Sequence, residues 1–290
     1  MGNEETRILR QPRGSDPKEQ KIREKLDTLT STDISRKIID DLRQRQAVFF
    51  DFSFDNLTHK EKILRAYRTL LPELASIANS KIKSGEEHLR PDLQGNGIII
   101  VTNHLGIAKL TRISNFDHKF PIELEEFEPF PSRHALLSPV TQMTGGQMHE
   151  TAIELPSTLL KIQESCEVLT IPVKGKGRTE LLSKKVRILL SEEDRPIVVM
   201  YPEGGTSGKR NDGGPYDLDE FHTGAFVVAL KTGLPIVPVC QYFNPNSGFE
   251  LYILEPIRPK IESADQAEDI AKRTRSSMQL KLKEAELQKY

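Results

Sequence analysis

The sequence predicts an α/β fold with a central, mostly parallel sheet flanked by helices and preceded by a small N-terminal helical layer. Three observations carry this reading. Short apolar runs rich in β-branched residues recur from Ile98 onward, among them Ile98–Val101, Val168–Pro172, Ile197–Tyr201, Ile236–Cys240 and Glu250–Leu254. Helical patterns alternate with them. The runs are near-continuous rather than alternating, which is the pattern of strands buried on both faces.

In chain order, residues 1–30 are highly charged and read as a disordered lead-in. Residues 31–85 read as a helical region. Ile34, Ile38, Ile39 and Leu42 fall on one helical face, and Ile63, Leu64, Tyr67, Leu70, Leu71 and Leu74 form a second stripe. Thr58 and Glu61 have capping-box spacing, and Pro72 is expected to bend or divide that second helix. Residues 86–290 read as the α/β domain. Within it helices are expected at Arg178–Leu190, at Thr223–Thr232 with Gly233 as its stop, and at Ala264–Gln288 as a closing helix.

Bulk properties exclude several classes. The 41 Lys+Arg residues balance 42 Asp+Glu, so no global field favours nucleic acid, and any anion site is local. Cys166 and Cys240 have no ligand spacing and read as ordinary core thiols of a reducing compartment. No apolar run approaches the roughly 18 residues of a spanning helix. The N-terminus lacks the apolar core of a signal peptide, and a cytoplasmic protein is expected.

Two segments have the residue types for chemistry. In the first, the strand Ile98–Val101 runs straight into Thr102-Asn103-His104-Leu105-Gly106. Residues just past the carboxyl ends of such strands line the ligand crevice of α/β sheets. A histidine there serves either as a general base, its pKa being near neutrality, or as a structural cap. In the second, Ile197–Met200 leads into Tyr201-Pro202-Glu203-Gly204-Gly205-Thr206-Ser207-Gly208-Lys209-Arg210. Glycine amides, hydroxyls and two cations suit an anion such as phosphate, or form a solvated surface turn. A Walker loop is excluded, because Glu203 stands where its first glycine belongs.

Taken in order, these segments resemble the glycerol-3-phosphate and lysophosphatidic acid acyltransferase family over about residues 86–260. The matching pieces are Asn103-His104, Ile171-Pro172-Val173-Lys174, Tyr201-Pro202-Glu203-Gly204-Gly205-Thr206-Ser207, Phe221-His222-Thr223-Gly224-Ala225-Phe226 and Leu234-Pro235-Ile236-Val237-Pro238-Val239. The resemblance implies transfer of a fatty acyl group from acyl-CoA or acyl-carrier protein to a hydroxyl acceptor, with His104 as general base. It implies no cofactor and no metal beyond the thioester donor substrate. The acceptor it implies is a lipid or glycerol-phosphate, positioned by Asn103, Lys109, Lys174, Glu203, Gly204, Ser207 and Lys209. Lipid acceptors further imply transient membrane contact, with Phe116, Phe120, Phe127 and Phe130 as a candidate surface.

The chain departs from the family pattern at defined places. The aspartate of the family's His-x4-Asp motif is Lys109, which accepts no proton from an imidazole. Glu203 or Asp117 is a candidate replacement for orienting His104, and Lys109 is itself a candidate oxyanion donor. The second-block arginine is Lys174, and the arginine of Glu-Gly-Thr-Arg is Thr206. These losses frame the alternative, an impaired acyltransferase fold that binds lipid or acyl thioester without turnover.

Overall fold

The computed structural model describes residues 29, 31–89, 95, 97–105, 140–142, 161–162, 165–166, 177–192, 196–204, 207–208, 210–211, 213–259 and 266–288. Helix α1 spans Asp33–Asp55 and α2 spans Lys60–Ile77. Strand β1, Lys81–Ser84, and a 3-10 turn at Glu86–Leu89 follow. The sheet continues with β2 (Ile98–Thr102), β3 (Val140–Gln142), β4 (Ile197–Met200), β5 (Ile236–Asn244) and β6 (Gly248–Ile253). Helices α3 (Arg178–Glu192), α4 (Gly224–Thr232) and α5 (Gln266–Leu287) complete the described elements.

The six strands form one sheet in the order β1-β6-β5-β2-β4-β3. Every pairing is parallel except β5 with β6, which Asn244 and Gly248 join as a hairpin. The mixed α/β architecture expected from the sequence is therefore observed. Strand β2 sits at its centre, with Val101 opposite Met200 of β4 and Thr102 opposite Val239 of β5.

Alternate residues of β2 divide the core. Ile99 and Val101 face a cluster containing Leu182 and Val186 of α3, Phe226 of α4 and Met278 of α5. Ile98 and Ile100 face a second cluster with Val199, Val237, Leu251 and Leu89. Burying each such side chain contributes about 1.5–3 kcal/mol, so β2 is held from both faces.

The N-terminal helices join the first cluster through Ile38, Ile39 and Leu42, and through Ile63, Tyr67, Leu70 and Leu74. Several details differ from the sequence reading. Ile34 is 53% exposed rather than on the buried face. The capping box is formed by Thr32 and Ser35, not Thr58 and Glu61; α2 begins after His59, which makes no side-chain cap. Pro72 lies inside an undivided α2, because burial of Leu70 and Leu74 on either side offsets the lost hydrogen bond. Lys81–Ser84, read as part of the helical region, is a strand, and main-chain pairing with β6 recruits these mostly exposed residues to the sheet.

Helix α4 ends as expected at Gly233, whose φ of 73° is the left-handed stop. Cys166 and Cys240 are buried, and neither is in a disulfide. Among the described residues, no helix is long and apolar enough to cross a membrane. The strand expected at Val168–Pro172 lies outside the described residues.

Candidate functional site

Parallel pairing of β2 with β4 brings the two chemistry-bearing segments together. Because Val101 lies opposite Met200, the residues that follow each strand leave the sheet side by side at its carboxyl edge. His104 and Glu203, 99 positions apart in sequence, become neighbours.

Asn103 is fully buried, and both ends of its amide are used on β5. Its Nδ2 donates to the carbonyl of Gln241 at 3.0 Å, and its Oδ1 accepts from the Gln241 N–H at 2.7 Å. The side chain acts as an extra rung of sheet where β2 leaves the ladder. Gln241 in turn donates from Nε2 to Thr102 Oγ1 at 3.0 Å.

His104 is next, and its main chain is fixed on the other side by the Pro-Glu-Gly turn. Its N–H is shared between Ser207 Oγ at 3.2 Å and Glu203 Oε1 at 3.4 Å, while its carbonyl accepts from the Ser207 N–H at 2.7 Å. The imidazole packs edge-on against Tyr201, with ring centroids 4.8 Å apart and planes at 62°. His104 is 9% exposed.

Glu203 is 1% exposed, and its carboxylate takes donors from three directions. Ser207 Oγ donates to Oε1 at 2.6 Å, the His104 N–H reaches the same oxygen, and the Asp219 N–H donates to Oε2 at 2.8 Å. Burial pushes its pKa up to about 7, against the opposing pull of those three donors, with the Asp219 charge adding to the rise. The carboxylate is thus directed at the His104 main chain and the turn.

The rest of the turn is braced from residues 210–222. Asp219, 2% exposed, accepts from the N–H groups of Arg210 at 2.9 Å and Asn211 at 3.0 Å. Arg210, grouped in the sequence reading with Lys209 as an anion-binding cation, is engaged instead with main-chain carbonyls. Its Nη2 donates at 2.7 Å to both Glu203 O and Glu220 O. His222 Nε2 lies 3.3 Å from Arg210 Nη1. Partial burial, then the charges of Arg210 and Arg178, depress the His222 pKa and favour its neutral form. The ring lies over Gly204, whose φ is 64°; a Cβ there would come within 2.8 Å of His222 Cδ2.

Of the residues singled out from sequence, Asn103, His104, Glu203, Gly204 and Ser207 are brought together. Lys109, Lys174 and Lys209 lie outside the described residues, as do Thr206, Asp117 and the Phe116–Phe130 segment. Asp219 was missed by the sequence reading. It stands in Asp217-Leu218-Asp219-Glu220, a run of acids that reads as a solvated face, and no spacing rule links it to Glu203.

Comparison with known proteins bears on this arrangement. The family model described as Acyltransferase matches residues 146–242, about one third of the chain. That stretch contains the Pro-Glu-Gly turn and α4, but not Asn103 or His104. The match agrees with the sequence resemblance on the acyltransferase family. No curated protein matches. Among solved structures, the 1-acyl-sn-glycerophosphate (LPA) acyltransferase PlsC from Thermotoga maritima is similar at a TM-score of 0.41 and 14% identity. The alignment covers 90% of this chain and 97% of that one. At that level the likeness bears on neither substrate nor mechanism.

Proposed function

We propose that this protein is an acyltransferase that moves a fatty acyl group from acyl-CoA or acyl-carrier protein to a hydroxyl acceptor such as glycerol-3-phosphate or a lysophospholipid, with His104 as general base. The observation carrying the reading is the position of His104 at the carboxyl edge of the central strand, its main chain held by the Pro-Glu-Gly turn. The family match over residues 146–242 supports the reaction class.

In this reaction the imidazole removes the acceptor's hydroxyl proton as the oxygen attacks the thioester carbonyl. The tetrahedral intermediate collapses with cleavage of the C–S bond, and the imidazolium returns its proton to the departing thiolate. An ester replaces the thioester, and the base is regenerated. Edge contact with Tyr201 and the fixed main chain restrict where the ring can point, which is the positioning that such a step requires. In the sequence, Lys109 stands at the position of the family's aspartate, a cation in place of the carboxylate that ordinarily steadies the imidazolium. That substitution favours a second reading, a protein that binds acyl thioester or lipid without turnover.

The test is thioester cleavage by purified protein with acyl-CoA and acyl-carrier protein, over a panel of glycerol-phosphate and lysophospholipid acceptors. Acceptor-dependent turnover that falls at least about 100-fold in His104→Ala supports the first reading. Saturable donor binding with no turnover, and turnover appearing in Lys109→Asp, supports the second.

A further inference from the structure

The C-terminal helix reaches the site through main-chain atoms. Arg275 of α5 donates from Nε to Asp219 O at 2.9 Å and to Leu218 O at 3.2 Å, and from Nη2 to Leu218 O at 2.6 Å. One turn on, Gln279 Oε1 accepts from the Leu218 N–H at 2.7 Å, and its Nε2 donates to Tyr216 O at 2.9 Å. The segment from Tyr216 to Asp219 belongs to no strand or helix, so its main-chain groups are met by α5 instead of a ladder. Helix α5 is itself fixed to the sheet, because Thr274, Met278 and Leu282 on the adjoining stripe are buried.

We propose that Arg275 and Gln279 are positioning residues for the site, acting through the Tyr216–Asp219 segment on Glu203 and thereby on the main chain of His104. The chain of contacts is continuous. Arg275 and Gln279 set the segment, the Asp219 N–H donates to Glu203 Oε2, and Glu203 Oε1 meets Ser207 Oγ and the His104 N–H. The Asp219 carboxylate simultaneously sets Arg210, whose guanidinium holds the Glu203 carbonyl. A shift of the segment therefore moves both ends of Glu203. The role in catalysis rests on the acyltransferase reading, whereas the structural linkage does not.

The experiment separates the two. The full chain is prepared as wild type, Arg275→Ala, Arg275→Lys and Gln279→Glu; the last keeps the acceptor for Leu218 N–H but sets an oxygen against Tyr216 O. Amide NMR follows the His104 and Asp219 N–H signals through neutral pH, alongside kcat and KM for acyl transfer. Both amides report the Glu203 carboxyl, whose charged or titratable neighbours are the Asp219 carboxylate, the Arg210 guanidinium and the His104 imidazole. In the wild type they are expected to titrate with a common midpoint near the Glu203 pKa of about 7. In Arg275→Ala and Gln279→Glu that midpoint rises, since a donor to the ionised form is lost. Turnover falls on the order of tenfold in kcat with KM within about twofold, and Arg275→Lys recovers part of it.

A His104 amide that keeps its position and midpoint in both Arg275→Ala and Gln279→Glu overturns the linkage. A fall in kcat no larger than the unfolded fraction overturns the positioning role. If the wild type shows no turnover, the acyltransferase reading fails and the amide signals still decide the linkage. If Arg275→Ala does not fold, Gln279→Glu and Arg275→Lys decide both points.

Discussion

Glu203 and His104 meet through the main chain. The Glu203 carboxylate lies 3.4 Å from the His104 N–H, an interaction shared with Ser207 Oγ, and its second oxygen is occupied by the Asp219 N–H. Glu203 thus fixes where the strand delivers His104 and leaves the ring to other partners.

That geometry makes stability depend on pH. The folded-state pKa of Glu203, about 7, lies above the ordinary value of 4.5, so the native state holds a proton that the unfolded chain releases first. Its contribution is fully present below about pH 4.5 and is lost as pH rises through 7. The change is on the order of 3 kcal/mol across that window. Urea unfolding of wild type and Glu203→Gln at a series of pH values is expected to show this slope only in the wild type. Parallel curves for the two proteins would remove Glu203 as its source.

Asn103 makes a different prediction, because both ends of its amide serve Gln241. Asn103→Ala leaves a buried N–H and a buried carbonyl without that partner, at a cost of about 2–4 kcal/mol. The loss is expected in the urea midpoint, with acceptor KM unchanged once the folded fraction is allowed for. A raised KM at full folding would assign Asn103 to the acceptor.

Gly204 combines a positive φ with a close neighbour. Gly204→Ala strains the backbone at φ 64° and sets a methyl against His222. A destabilisation of about 1–3 kcal/mol is expected. Adding His222→Ala relieves the contact but not the dihedral, so the double mutant is expected to recover only part of the loss. Strict additivity of the two changes would show that the imidazole does not press on this position.

Lys109→Asp tests the departure from the family pattern. Restoring a carboxylate five positions after His104 is expected to raise turnover at neutral pH at least about tenfold, provided that ring orientation limits the rate. A fall in turnover would instead mark Lys109 as a contributor to the reaction, as an oxyanion donor would be.

The strands at Ile98, Ile197, Ile236 and Glu250, the helices α3, α4 and α5, and the two motif segments can be read from residue pattern alone. These are legible because burial on both faces demands unbroken apolar runs, and because Gly233 carries a local signature that needs no distant partner. Strand β1 was not legible, since Lys81–Ser84 is mostly exposed and joins the sheet only by pairing with β6. Nor was the undivided α2, where tertiary burial outweighs the local preference of Pro72. At the site, the sequence named His104, Glu203 and Ser207 but not their relation. That relation follows from the register of β2 on β4, which sets residues 99 positions apart against one another. Tertiary structure alone turned Arg210 into a brace and gave Asp219, Arg275 and Gln279 their places. Hydrogen bonds from side chains to distant main-chain atoms follow no residue pattern, because every residue offers the same carbonyl and nearly every one the same N–H.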